Sequence, residues 1–229
     1  MALVSPETGN ALLYVLIAIV LFAALSMTLG RQAGTDEIST LPKERAALYT
    51  TQLESYAAQA KSAIDQMRFA GTPINSLDFT APTDPAFETE PPKNIFKVFH
   101  PSGGGLTPAT LPAESITQIG STPVPGWYIG RFNNVEWTAT TGQDVILTAY
   151  QIQQTICENI NLKLTGSTTV PTLTDTIQNT LIDDLFHAGT NTTLTTDGGD
   201  ICPSCENRAS LCVKDAGGAY AFYTILADQ

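Results

Sequence analysis

Basic residues are scarce in this chain: 11 Lys and Arg stand against 22 Asp and Glu in 229 residues, a formal charge of −11. A net negative surface repels phosphate backbones, so nucleic-acid binding would need a local basic patch. None is present; the nearest basic pair, Lys43 and Arg45, has Glu44 between its members. Charge of either sign is also sparse, at 14% of residues against about a quarter in ordinary soluble domains, so the polar surface must come mainly from Thr, Ser, Asn and Gln. Two histidines, His100 and His187, are little material for a His-rich metal centre or a Ser-His-Asp relay. Cysteine is absent from the first two thirds of the chain, and all four cysteines lie in the last third.

Residues 11–29 read ALLYVLIAIVLFAALSMTL, nineteen residues without charge, Pro or Gly. As a helix rising 1.5 Å per residue this run covers about 28 Å, the thickness of a hydrocarbon core, which predicts a membrane-spanning anchor. As a cleaved signal peptide it would have an overlong apolar core, and the segment before it holds Glu7 and no Lys or Arg. Flanking charge points the large domain to the cytoplasm, because Arg31, Lys43 and Arg45 follow the run and no basic residue precedes it. The cysteines point the other way, to an oxidising compartment.

Gly9, Asn10 and the apolar run after them resemble the start of the type IV pilin and pseudopilin family. By that resemblance a prepilin peptidase cuts between Gly9 and Asn10. The apolar face, including Leu12, Leu13, Tyr14, Leu16, Ile17, Val20, Leu21 and Phe22, then packs in lipid and afterwards against sister subunits. The fifth mature position is Tyr14 where the family usually carries Glu, which points to a minor or divergent subunit. The resemblance implies a fold: α+β, with a long N-terminal helix, transmembrane half plus amphipathic half, packed on an antiparallel β-sheet head. It divides the chain into a leader (1–9), an assembly helix (10–30), a linker and amphipathic helix (31–71) and an acidic extracytoplasmic head (72–229).

Gly30, Gly34 and Pro42 predict a break after the apolar run, because Gly in a helix costs entropy and Pro removes a bond. Residues 43–70 lack both, and Leu48, Leu53, Tyr56, Ala57, Ala60, Ile64 and Met67 recur mostly three or four apart, predicting an amphipathic helix stopped by Gly71. Five prolines between 72 and 92 predict loop. Strands are expected at 95–99, 127–129, 135–137 and 219–226. Residues 145–157 suit either a helix from about 148 or a strand leading into one. Leu173, Ile177, Leu181, Ile182 and Leu185 predict a second amphipathic helix, with His187 near its end. Gly103-Gly104-Gly105 lacks the Lys-Ser or Lys-Thr of a phosphate cradle and reads as a flexible surface loop.

Cys157, Cys202, Cys205 and Cys212 form an even, clustered set, which predicts two disulfides with three possible pairings. Three other chemistries share these residue types: thiol exchange at Cys202-Pro203-Ser204-Cys205, a four-thiolate zinc site, and inert reduced thiols. Asp197 and Asp200 before the C-x-x-C and Glu206 after it oppose an activated thiolate, and a second C-x-x-C is missing for zinc. Asp183 and Asp184 are adjacent, so they do not share a helix face and form no acid-base pair. The 197–200 turn offers too few oxygens for calcium. Asn191-Thr192-Thr193 matches a glycan sequon.

The expectation is a non-enzymatic structural protein with no catalytic residues, metal or cofactor. It would sit in the inner membrane by a single pass, with its head in the periplasm or on the cell surface. Its partners would be membrane lipid, pilin-like subunits and a prepilin peptidase, with no nucleic acid. The alternative is a non-polymerising membrane-anchored envelope or virion protein whose head binds a partner.

Overall fold

Helix α1, Glu37–Phe69, contributes its residues from Ala46 on to the larger of two units, Ala46–Gln229; the smaller is Met1–Arg45. The computed structural model describes residues 14–22, 37–196 and 201–229. Over residues 43–69 of α1 the buried side chains are Ala46, Thr50, Leu53, Tyr56, Ala57, Ala60, Ala63, Ile64 and Met67, a stripe at helical spacing. Four of these are alanines, whose short side chains let the helix lie close on what it covers, while each large apolar one is stabilised by about 2 kcal/mol through burial. Leu48, expected in the stripe, is exposed. Gly71, with φ +92°, ends the helix as expected.

The stripe covers a four-stranded antiparallel sheet in the order β1-β2-β4-β3: β1 Gly126–Asn133, β2 Asp144–Tyr150, β3 Ser210–Lys214 and β4 Tyr220–Ala227. Alternate side chains separate onto two faces. Val145, Leu147, Ala149, Cys212, Phe222 and Leu226 share a core with α1 and with helix α2, Gln154–Thr165. Tyr128, Phe132, Ile146, Tyr150, Leu211, Val213 and Tyr223 face the other way, onto a layer of short turns drawn from 173–205. Because β2 is central and covered on both faces, all seven of its residues are buried. That is why apolar side chains fall on both of its faces, at Val145, Ile146, Leu147, Ala149 and Tyr150, rather than on alternate positions only.

Several expectations need correction. Among the described residues no helix is long and apolar enough to cross a membrane, so the fold they show is α+β on an antiparallel sheet, and the predicted transmembrane half is not among them. Of the apolar run, residues 14–22 are helical; 11–13 and 23–29 lie outside the described residues. The expected break falls partly outside them too, and from Glu37 the helix continues through Pro42. Residues 94–96 form a 3-10 turn instead of a strand. Val135 makes only an isolated bridge to Leu194. The predicted helix over 173–185 is reduced to α3, Ile177–Leu181, and a 3-10 turn, Asp184–Phe186. Strand leads into helix at 144–165, and β3 lies where the sequence pattern predicts no strand.

Two glycines of the triplet, Gly103 and Gly104, are packed rather than loose. A Cβ on Gly103 would collide with the Lys97 carbonyl oxygen, and one on Gly104 would lie 2.5 Å from the Val98 carbonyl oxygen and 2.9 Å from Met67 Sδ. Only chain without side chains can pass so close.

Candidate functional site

Of the positions expected to serve processing and assembly, Gly9, Asn10, Leu12 and Leu13 lie outside the described residues. Tyr14, Leu16, Ile17, Val20, Leu21 and Phe22 belong to the helical residues 14–22, and all are exposed, from 48% at Ile17 to 75% at Phe22. With Val15 and Ile19 also exposed, the segment is apolar around its whole circumference.

The four cysteines form two disulfides. Cys157–Cys212 joins α2 to β3 across 55 residues with a Cα separation of 5.3 Å. Cys202–Cys205 closes the 3-10 turn Pro203–Cys205 with a Cα separation of 5.4 Å. All four side chains are buried. The sulfurs are thus consumed two by two in separate places, which displaces the zinc and reduced-thiol alternatives. A C-x-x-C pair that is oxidised and sealed in the core offers no accessible thiol for exchange.

The histidines are not brought together. His100 lies 3.6 Å from the exposed Glu88 carboxylate. His187 faces the Ile182 carbonyl through Nε2 at 3.0 Å, so Nε2 carries the hydrogen, and Nδ1 is buried without a partner. The Asn191 amide of the sequon is committed to its own loop, donating to the Ile182 carbonyl at 2.7 Å. Asp197 to Asp200 lie outside the described residues.

A groove of about 890 Å³ runs beside β1. Ile129, Gly130 and Arg131 form its floor. One wall comes from the Pro-rich segment, with Asp78, Phe79 and Phe96; the other carries Asp183, Leu185 and Phe186. The first wall is fixed by a buried lysine: Lys97 Nζ donates to the carbonyls of Phe87 at 2.5 Å and Thr89 at 2.7 Å and to Asn94 Oδ1 at 2.9 Å. All three ammonium hydrogens are satisfied, which is what makes a buried cation tolerable. On the second wall Phe186 meets Tyr128 edge-on at 5.2 Å. The Tyr128 hydroxyl donates to the Val124 carbonyl at 2.6 Å, and burial, with Tyr150 adding to it, pushes its pKa up to about 12.

Polar groups in the groove are incompletely used. Asp78 Oδ1 accepts from Thr80 N and Oγ1 at 2.9 and 2.6 Å, whereas Oδ2 has no partner. Arg131 Nη1 donates to Gln229 Oε1 at 3.3 Å, and its Nε has no partner. Asp183 Oδ1 accepts from Leu185 N at 3.0 Å, and burial raises its carboxyl above the ordinary range. Its Oδ2 would lie 3.2 Å from a Cβ at Gly130, so that glycine admits the carboxylate to the strand. Sequence reasoning passed over this groove. Its floor and second wall are more than fifty residues apart, and the one available signal was a surface-facing Leu-Phe pair beside two aspartates.

No family model matches the chain, and neither a curated protein nor a solved structure is found similar to it.

Proposed function

We propose that the chain is a structural subunit, or a minor component, of an envelope filament of the pilus or pseudopilus kind. The observation that carries the reading is the helical segment 14–22, apolar and exposed on every side. A helix apolar all round is stable only when covered all round, and bundling with the same segment of sister subunits would cover it. Processing between Gly9 and Asn10 would free that segment. The acidic unit then faces outward, closed by two disulfides that suit an oxidising compartment such as the periplasm or cell surface.

The test is the intact mass of the protein recovered from the envelope of its native host, with and without reduction, alongside electron microscopy of the same fraction. Support would be a chain lacking residues 1–9, lighter by four hydrogens from two disulfides, in filaments. A full-length chain recovered as a discrete monomer would overturn the proposal and leave a partner-binding head as the better reading.

A further inference from the structure

The two edges of the sheet are treated differently. At β3 the outward groups of Cys212 are taken by the Asn161 side chain, and those of Lys214 by Pro171 O and Leu173 N. At β1, among the described residues, no backbone group of Gly126–Asn133 is hydrogen-bonded beyond the ladder to β2. An unpaired edge is a template for another strand, and proteins ordinarily blunt it. Here it is left open at the bottom of a groove.

The groove has the form of a slot for one strand. Phe79 packs with the α1 face of the sheet, while Asp183 approaches Gly130 near Phe132, on the opposite face. A strand added to β1 would therefore point successive side chains at the two walls in turn. A strand occupies roughly 4.8 by 10 Å in section and rises about 3.4 Å per residue, so 890 Å³ holds about five residues. A second copy of this chain fits poorly, because its own β1 would bring both of its walls into the slot.

We propose that the outer edge of β1 binds an extended, apolar segment of another protein bearing a basic side chain, as a fifth strand. Charge selects that occupant. The groove sets Asp78, Asp84 and Asp183 against Lys93 and Arg131, with Arg131 turned to Gln229, and the chain as a whole carries −11. Either register brings a guest lysine to a carboxylate, Asp78 on one wall or Asp183 on the other. Leu185, 83% exposed, and Phe186 supply apolar contact. The proposal stands whether or not the chain forms filaments.

The probe is a blocked pentapeptide, acetyl-Val-Thr-Lys-Val-Thr-amide, titrated into the full-length ¹⁵N-labelled protein in detergent solution. Amide resonances of Ile129 to Arg131 should shift and exchange more slowly. Glu in place of the probe's Lys should weaken binding about fivefold, and N-methylation of its central amides about tenfold or more. Leu185→Ala, at an exposed position, should weaken binding while leaving the fold intact. Equal affinity for the N-methylated peptide, shifts confined to other surfaces, or no binding would overturn the proposal. So would β1 amides already protected by a dimer in the absence of peptide.

Discussion

Asn161 and Cys212 pair as two strands do: Asn161 Oδ1 accepts from the Cys212 N–H at 2.8 Å, and Asn161 Nδ2 donates to the Cys212 carbonyl at 2.8 Å. The amide also donates to the Thr169 carbonyl at 2.9 Å. One helix side chain thus closes the β3 edge beside the disulfide that ties the same helix to the same strand.

Replacing Asn161 by Ala would orphan a buried N–H and two carbonyls, each worth about 1–3 kcal/mol when left unsatisfied. We expect a loss of about 3 kcal/mol in urea unfolding with the disulfides intact. A change under about 0.5 kcal/mol, the range of neutral surface substitutions, would show that water replaces the amide there.

The disulfides should differ in weight. In the loop-entropy account, the 55-residue separation of Cys157 and Cys212 corresponds to about 4 kcal/mol, and the three-residue separation of Cys202 and Cys205 to about 2 kcal/mol. Double Cys→Ala variants compared by denaturant midpoint should keep that order. The reverse order would mean that packing of the sulfurs, rather than loop closure, dominates.

Asp144 makes stability fall as pH rises. Its side chain is buried at the end of β2, where Oδ2 accepts from Val135 N at 2.8 Å and Thr138 Oγ1 at 3.1 Å. Burial, the largest cause, raises its carboxyl above the ordinary value of 3.8. The folded state therefore prefers the protonated form, so this stabilisation is present below the ordinary value and lost as pH rises through the raised one. Asp144→Asn should remove that slope. Urea unfolding from acid to neutral pH should show the variant gaining on the parent protein as pH increases, and parallel profiles would refute the assignment.

Lys97→Met should loosen the wall of the groove. Removing the ammonium leaves the Phe87 and Thr89 carbonyls and the Asn94 amide oxygen without their donor, at a cost of about 3 kcal/mol. Amide exchange within residues 80–96 should accelerate while α1 and the sheet stay protected. Unchanged exchange would assign the fixing of that segment to its prolines.

Much of the framework was legible along the chain. The spacing of Leu53, Tyr56, Ala60, Ile64 and Met67 marked the α1 stripe because helix period and burial are both local in sequence. The same reasoning at Leu173, Ile177, Leu181 and Ile182 found residues that are indeed buried but assigned them one long helix. Apolar spacing reports which side chains go inside, while the path between them is settled by what they pack on, here the second face of the sheet. Leu185, assigned to that same stripe, stands out in solvent on the groove wall.

By itself the sequence determined the acidic balance, the charge-free run at 11–29, the helix ended by Gly71 and an even set of cysteines, since each is a property of composition or of neighbours within a few residues. Only the tertiary structure decided which cysteines pair, that Asn161 closes one sheet edge, and that β1 is left open between Asp78 and Asp183. Those relationships join groups tens of residues apart, and strand order, which no local pattern encodes, is what brings them within reach of one another.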